Sequence, residues 1–543
     1  MIDINSVRYF YPDGDSAALD GLDLHIAQGE MYLLAGRSGS GKSTLQRAVV
    51  GLVPRFYGGR FSGRVVAAGL DTRRHPPLEM AAHVGTVFQE PENRFVSRRV
   101  EDEIAFGLEL AGFETSEIAR RVTGTVERID IGPLLGRSLE TLSAGEQQRV
   151  AVAAALARRA DILLLDEPTS QLDGVGAEEV VNWVAALGRD SGLTTVVGES
   201  RLGRWSEAAH RVGYLEAGRI QVEGSPEEAI ERMPISSPLA EAVRSLGLDR
   251  WMGPLAQDEL KRRLLRLSNG DGPQTVSGPP RLRAQGLHFA FGGTPVLEGA
   301  DLEVAAGETV ALVGRNGSGK TTLLRSLIGL LTPQAGSLEL DGRSILKRTV
   351  FERAREIGYV PQWPAGLLFA HDLREELGIT LRNLGRDADP PFEPEELLAR
   401  FGLLEVAGRY PRDLSAGQRQ RAALAAIVVG GPRVILLDEP TLGMDARAQE
   451  SLGLLLEELR AGGTAIVLAT HDVEFAARIA QRCVILEKGR ILVSGPAAET
   501  LFTRRETRTA LQRLTGRPRP ATPAEVRAVS PTAAAQENSH AHP

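Results

Sequence analysis

The stretch Gly36-Arg37-Ser38-Gly39-Ser40-Gly41-Lys42-Ser43-Thr44 fits the phosphate-binding-loop pattern G-x-x-x-x-G-K-[ST] at every fixed position. It follows the apolar run Met31 to Ala35 and precedes the helix-like Leu45 to Val50. Glycines in such a loop take up dihedrals closed to other residues and leave backbone N–H groups uncovered. Successive amides can then curl around a polyphosphate while the next helix points its positive end at the anion. In that pattern Lys42 reaches the β- and γ-phosphates and Ser43 ligates Mg²⁺. A glycine-rich turn that fits by chance is the competing reading, and a second copy argues against it. Gly314-Arg315-Asn316-Gly317-Ser318-Gly319-Lys320-Thr321-Thr322 follows the apolar run Val310 to Val313. The chain is built around this loop twice, and all nine residues of each copy are candidate nucleotide-binding residues, with Ser43 and Thr321 also candidate Mg²⁺ ligands.

The two lysines lie 278 positions apart in 543 residues, which suggests two units of similar design, each large enough for its own core. No apolar run approaches the ~20 residues that cross a bilayer. Ala422 to Gly431 is cut off by Pro432 and Arg433, and Asp3 and Arg8 preclude a signal-peptide core, so a cytoplasmic protein is expected. The single cysteine, Cys483, excludes an intrachain disulfide framework and reads as a small core residue. A net charge of −7, spread along the chain, gives no support for wholesale nucleic-acid binding.

Short alternating pieces over residues 1 to 30 (Ile2, Ile4; Leu22, Leu24, Ile26) read as strands and hairpins leading into the loop strand. Their counterparts recur before the second loop, and the alignment sets Tyr11 opposite Phe291. Each ring is read either as a stacking partner for adenine or as a core aromatic; the residues alone leave both open. Residues 93 to 160 carry helical spacing (Ile104, Leu108; Val122, Val126, Ile129), consistent with an all-helical insertion. Asp161 to Asp166 then reads as a buried parallel strand ending in a carboxylate, followed by Glu167-Pro168-Thr169; Val434 to Thr441 is its twin, with Asp438 and Glu439. One carboxylate of such a pair can hold a Mg²⁺ shell while the next accepts a proton from an attacking water. The prolines of 226–280 mark a linker, and the Pro- and Ala-rich 516–543 a disordered tail. The expected division is therefore a first domain 1–225, the linker, a second domain 281–515 and the tail.

Each half has a third motif, Leu142-Ser143-Ala144-Gly145-Glu146 and Leu414-Ser415-Ala416-Gly417-Gln418, placed 23 residues before the strand-end aspartate in both. With loop, signature, strand-end Asp-Glu and the intervening Gln89 and Gln362 all present twice in order, the chain resembles the ATP-binding cassette (ABC) ATPases. The resemblance implies an α/β fold of two nucleotide-binding domains, each a mixed-sheet ATPase core with an antiparallel β subdomain and a helical subdomain. It implies ATP and Mg²⁺ as ligands, with Ser43, Gln89, Asp166, Thr321, Gln362 and Asp438 toward the metal. Glu167, Glu439, His471, Gln89 and Gln362 are the implied catalytic residues, and Ser143, Gly145, Ser415 and Gly417 are presented to the γ-phosphate held by the other half. Asp173 and Asp445 match the loop that crosses between cassettes. Ala144, Ala416 and Glu146 depart mildly from the commonest signature.

One departure is larger. Ala469-Thr470-His471-Asp472 supplies the histidine that contacts the γ-phosphate in the family, whereas the first half reads Gly198-Glu199-Ser200-Arg201-Leu202, with Ser200 in the histidine's place. Serine is shorter than imidazole and cannot become a cation, so the two ATP sites are expected to differ.

The segments Val87 to Gly107 and, more loosely, Pro361 to Gly378 are similar to the ATPases of energy-coupling-factor (ECF) transporters. That likeness implies a peripheral protein at the cytoplasmic face of the membrane, with a transmembrane coupling subunit and a small membrane subunit that binds a vitamin or transition-metal ion. Two alternatives share the tandem design: a ribosome-associated translation factor of the ABC-F type, and the fused ATPase of a binding-protein-dependent sugar importer. The near-neutral, Pro-broken linker speaks against the first, and the completeness of the second cassette against the other.

Overall fold

The computed structural model describes residues 1–12, 14–37, 39–88, 95–170, 172, 174–200, 205–233, 242, 261, 264, 278–442, 444, 446–519, 522–523 and 525–526. The chain divides into two compact units, Met1–Ser237 and Pro238–Pro543.

The strands of the first unit are β1 (Ile2–Phe10), β2 (Leu19–Ile26), β3 (Met31–Ala35), β4 (Arg60–Ala67), β5 (Leu70–Asp71), β6 (Val84–Val87), β7 (Ile162–Asp166), β8 (Thr194–Glu199), β9 (Arg211–Glu216) and β10 (Arg219–Gly224). They form an antiparallel sheet ordered β2-β1-β4-β5 and a second sheet ordered β10-β9-β3-β8-β7-β6. The second is parallel except for the β9–β10 pair. β3 and β7 are continuously apolar because both their faces are covered. Leu34, Ile162 and Leu164 pack toward the antiparallel sheet, and Leu33, Leu163 and Leu165 toward the helical side. That side holds the helices Val100–Leu110, Thr115–Ile129 and Ala144–Leu156, seated by Ile104, Leu108, Val126, Ile129 and Val150.

The second unit repeats this with β11 (Pro280–Phe291), β12 (Thr294–Ala305), β13 (Thr309–Val313), β14 (Ala335–Leu340), β15 (Arg343–Ser344), β16 (Ile357–Val360), β17 (Val434–Asp438), β18 (Ala465–Thr470), β19 (Arg482–Glu487) and β20 (Arg490–Pro496). The orders β12-β11-β14-β15 and β16-β17-β18-β13-β19-β20 match the first unit strand for strand. In both, the loop strand lies centrally, one strand away from the strand that ends in Asp-Glu. The phosphate-loop motif and the carboxylates thus share the carboxyl end of one parallel sheet, where open α/β sheets bind ligands. Cys483 on β19 is fully buried.

Two stretches read as irregular are folded. Residues 226–232, expected to open the linker, form a helix on β9 and β10, with Ala229 and Met233 buried. Pro226 sits in its first turn, where a missing N–H costs nothing, behind the reciprocal cap of Ser225 and Glu228. The start of the expected tail is likewise anchored. Gln512 Nε2 donates to the Pro518 carbonyl at 2.9 Å, Arg519 pairs with Glu499 and Glu525 at 3.1 and 2.7 Å, and Val526 is buried. Residues 527–543 lie outside the described residues. Ending the chain after residue 515 is expected to lower the second unit's melting transition in scanning calorimetry. Burial of Val526 alone is worth ~1.5–3 kcal/mol; an unchanged transition would show that these contacts carry no stability.

Candidate nucleotide site

Each loop leaves its strand and enters a helix at the lysine, Lys42–Val49 and Lys320–Ile328. Gly39 and Gly41 (φ 77° and 110°) are matched by Gly317 and Gly319 (φ 78° and 107°), backbone that side chains resist. A Cβ on Gly36 would collide with the Leu215 carbonyl oxygen and stand 2.6 Å from Ser40 Oγ; one on Gly314 would meet Leu486 and Ser318 likewise. The glycines therefore keep a backbone cradle clear. Lys42 Nζ donates to the carbonyls of Gly36 and Arg37 at 2.8 and 3.1 Å and lies 3.5 Å from Glu167 Oε1. Lys320 Nζ repeats this on Gly314 and Arg315 at 2.8 and 3.2 Å, 3.7 Å from Glu439 Oε1. Ser40 Oγ and Ser318 Oγ are buried and have no hydrogen-bond partner among the described residues. A polyphosphate in the loop would give those hydroxyls an acceptor and the two ammonium groups a stronger counter-charge, so the residues fit that ligand. Ser38 lies outside the described residues.

Asp438 Oδ1 accepts from Thr321 Oγ1 at 3.1 Å and Oδ2 from Tyr359 at 3.2 Å. Burial pushes its carboxyl up, against the hydrogen bond from Thr321. A hydroxyl and a carboxylate in contact are hard oxygen donors of the kind Mg²⁺ takes. Asp166 ends β7 equally buried. Gln362 stands two residues beyond β16, half-buried, whereas Gln89, Asp173 and Asp445 lie outside the described residues.

The two glutamates share a strained backbone. Glu167 and Glu439 have φ of 47° and 48°, and their N–H groups donate to the carbonyls of Gly198 and Ala469 at 2.8 Å. Non-glycine residues are uncommon in that region, and where the surrounding structure enforces it they cluster at functional sites. Their side-chain partners differ. Glu439 Oε2 accepts from Thr470 Oγ1 and the His471 N–H, each at 3.2 Å, and lies 2.8 Å from His471 Nδ1. Burial opposes its charge, but His471 and Lys320 outweigh burial and hold the carboxyl below the usual range. Burial likewise works against a charged His471, and the Glu439 carboxylate overcomes it to raise the imidazole. Glu167 has Lys42 and a hydrogen bond from Ser200, and burial with Asp166 leaves it raised. Ser200 thus reaches the glutamate; what it lacks beside it is charge.

From the sequence, Glu199 is one of the groups that could take over the contact of the missing histidine; in the structure its carboxyl is engaged elsewhere. Glu199 is 3% exposed, and its Oε1 accepts from Thr169 Oγ1 at 2.6 Å and from the Trp205 indole at 3.0 Å. Burial, then the Glu167 charge, pushes its carboxyl up to about 7. In the other half the same position is Thr470.

Ser143 and Ser415 cap the helices Ala144–Leu156 and Ala416–Val428, accepting from the N–H of Glu146 and Gln418 at 3.3 and 3.2 Å. Glu146 and Gln418 return a bond to the serine N–H, and Glu146 adds Arg137 at 3.1 Å, so glutamate keeps glutamine's capping role. A capping oxygen accepts, which leaves the serine hydroxyl proton for another acceptor. A Cβ on Gly145 would meet nothing within 4 Å, whereas one on Gly417 would be 3.3 Å from Ala448.

The aromatic pair is not alike. The Tyr11 hydroxyl bonds to Thr44 Oγ1 at 3.1 Å and accepts from Arg47 at 2.9 Å, with edge contacts to Tyr9 and Tyr57. Phe291 is 52% exposed, at the end of β11, and touches Phe289 edge-on.

The ABC transporter family model matches residues 19–170 and 297–442. A putative ABC transporter ATP-binding protein of Streptomyces avermitilis is 38% identical over 540 residues, covering 92% of this chain and 95% of its own length. One from Methanosarcina acetivorans is 35% identical, covering 93% and 87%. The solved model of ribosome-bound archaeal Pelota and ABCE1 matches 91% of this chain and 79% of its own at TM-score 0.61 and 20% identity, a likeness of fold. Two matched ranges on two topologically identical units, with full-length relatives of the same design, settle the family: the chain is a tandem-domain ATP-binding, ATP-hydrolysing member of the ABC transporter family.

Proposed function

We propose that the chain is the energising ATPase of an ECF-type importer of a vitamin or transition-metal ion. It works at the cytoplasmic face of the membrane, with a transmembrane coupling subunit and a membrane substrate-binding subunit. The observation that carries this reading is the pair of complete motor sets, loop lysine, strand-end Asp-Glu and capping serine, in a chain where no helix of the described residues is long and apolar enough to cross a membrane. Such a chain supplies force and leaves the path to a partner. The ECF assignment is supported by the segments around Gln89 and Gln362.

In this reading the cassettes pair head to tail. The first site joins Lys42, Asp166, Glu167 and Ser200 to Ser415 and Gly417; the second joins Lys320, Asp438, Glu439 and His471 to Ser143 and Gly145. The lysine leaves its loop carbonyls for the β- and γ-phosphates, the glutamate takes the proton of the attacking water, and His471 sets a positive charge beside the γ-phosphate. Ser43 with Asp166, and Thr321 with Asp438, would hold Mg²⁺, which when bound would supply neutralisation of phosphate charge. Tyr11, beside Thr44 of the loop, is the nearer candidate for the adenine ring.

Detergent extraction followed by purification of the full-length chain tests the assignment: small integral membrane proteins are expected to co-purify. Recovery with ribosomes, lost on ribonuclease treatment and with no membrane partner after mild cross-linking, would instead establish the translation-factor role.

A further inference from the structure

In the second unit the end of β18 serves one carboxylate: Thr470 and His471 together direct three donor groups at Glu439 Oε2. The equivalent end of β8 is Glu199-Ser200. Glu199 replaces a hydroxyl donor with an acceptor, and its Oε1 is engaged by Thr169 and by Trp205, six residues along and itself 1% exposed. Both of those donors are neutral. This second carboxyl lies in the same buried region as Glu167 and competes with it for the negative charge on which proton abstraction depends. Among the described contacts, Lys42 is the cation beside Glu167.

We propose that Glu199 is a positioning residue that keeps the first nucleotide site slow. Where Thr470 adds its hydroxyl to the donors around Glu439, Glu199 adds none to Glu167, leaves it the Ser200 hydroxyl alone, and ties the end of β8 to Thr169 and Trp205 instead. The inference rests on reading Glu167 and Glu439 as the water-polarising residues, and it adds that Ser200 is only half of the difference. Restoring histidine alone returns the cation but neither the donor nor the neutral surroundings. Exchange of both residues is required.

The test uses the full-length chain carrying Glu439→Gln, so that remaining turnover belongs to the first site, and measures kcat and KM for ATP. Ser200→His alone is expected to change kcat by less than ~3-fold, while Glu199→Thr with Ser200→His raises it by at least ~30-fold with KM little moved. Glu199→Gln keeps an acceptor for Trp205 and Thr169 but drops the charge, and is expected to raise kcat ~3- to 10-fold. Full recovery with Ser200→His alone, or a double variant no faster than that single one, would overturn the proposal. Should the double variant lose its cooperative melting, Glu199→Gln decides: a gain in kcat supports the role and an unchanged or lower kcat refutes it. Lys42→Ala in the same parent guards the premise. Turnover that survived it would come from elsewhere, and the assignment of the first site would fall, whatever Glu199 does.

Discussion

Glu439→Gln is expected to abolish nearly all steady-state ATP hydrolysis, whereas Glu167→Gln is expected to leave most of it. Losing a general base slows the affected site by ~10²- to 10⁴-fold, so the fall in total rate reports how much of the turnover that site carried. The surroundings of the two glutamates assign the shares. Three donor groups aim Glu439 and hold it ionised, and the imidazole among them can bring positive charge to the γ-phosphate. Glu167 is raised instead, by burial first and then by the Asp166 charge, against Lys42 and Ser200. A preorganised donor missing from a transition state costs ~10²- to 10³-fold, enough for one site to dominate the total. The measurement is steady-state ATPase of the two single variants at saturating ATP. Equal losses would mean symmetric sites or strict coupling between them, and either would remove the basis for a slow first site.

Most of this arrangement was legible because the residues that build it are contiguous. The loop patterns announced strand, turn and helix, and the continuous apolar runs before Asp166 and Asp438 announced strands covered on both faces. The signature motifs were legible as sequence, whereas the capping of their helices by Ser143 and Ser415, with Glu146 and Gln418 answering, is a finding of the structure. What stayed hidden depends on folding back. Trp205 meets Glu199 from six residues along the chain, and Thr169 joins them from the turn that follows the neighbouring β7. The positive φ of Glu167 and Glu439 is equally invisible in composition, since nothing in Asp-Glu-Pro-Thr distinguishes a strained glutamate from a relaxed one. At the edges, composition misled. Pro226 was read as a breaker but stands in a first turn, and the described residues from Gly516 to Val526 include Pro518, Arg519 and Val526, which are anchored by hydrogen bonds, ion pairs or burial.

Lys42→Ala and Lys320→Ala are each expected to weaken ATP binding at their own site, and the two losses will not be equal in kind. A charge-assisted hydrogen bond is worth ~1.5–3 kcal/mol, which converts to roughly 10- to 150-fold in affinity. That part is common to both, since each lysine sits in the same loop on the same two carbonyls. The remainder comes from the carboxylate each lysine neutralises. Glu439 keeps His471 when Lys320 is gone. Glu167, buried with Asp166 and Glu199 for company, loses the cation that favours its ionised form. Lys42→Ala is therefore expected to lower the melting point of the ATP-free protein as well, or to leave Glu167 protonated, whereas Lys320→Ala lowers affinity with a smaller change in melting. Titration calorimetry with a non-hydrolysed ATP analogue, alongside scanning calorimetry without nucleotide, separates the two effects. Two equivalent high-affinity sites persisting in Lys42→Ala would show that the first loop does not hold the polyphosphate. Equal melting shifts in the two variants would show that His471 does not stand in for the lost lysine.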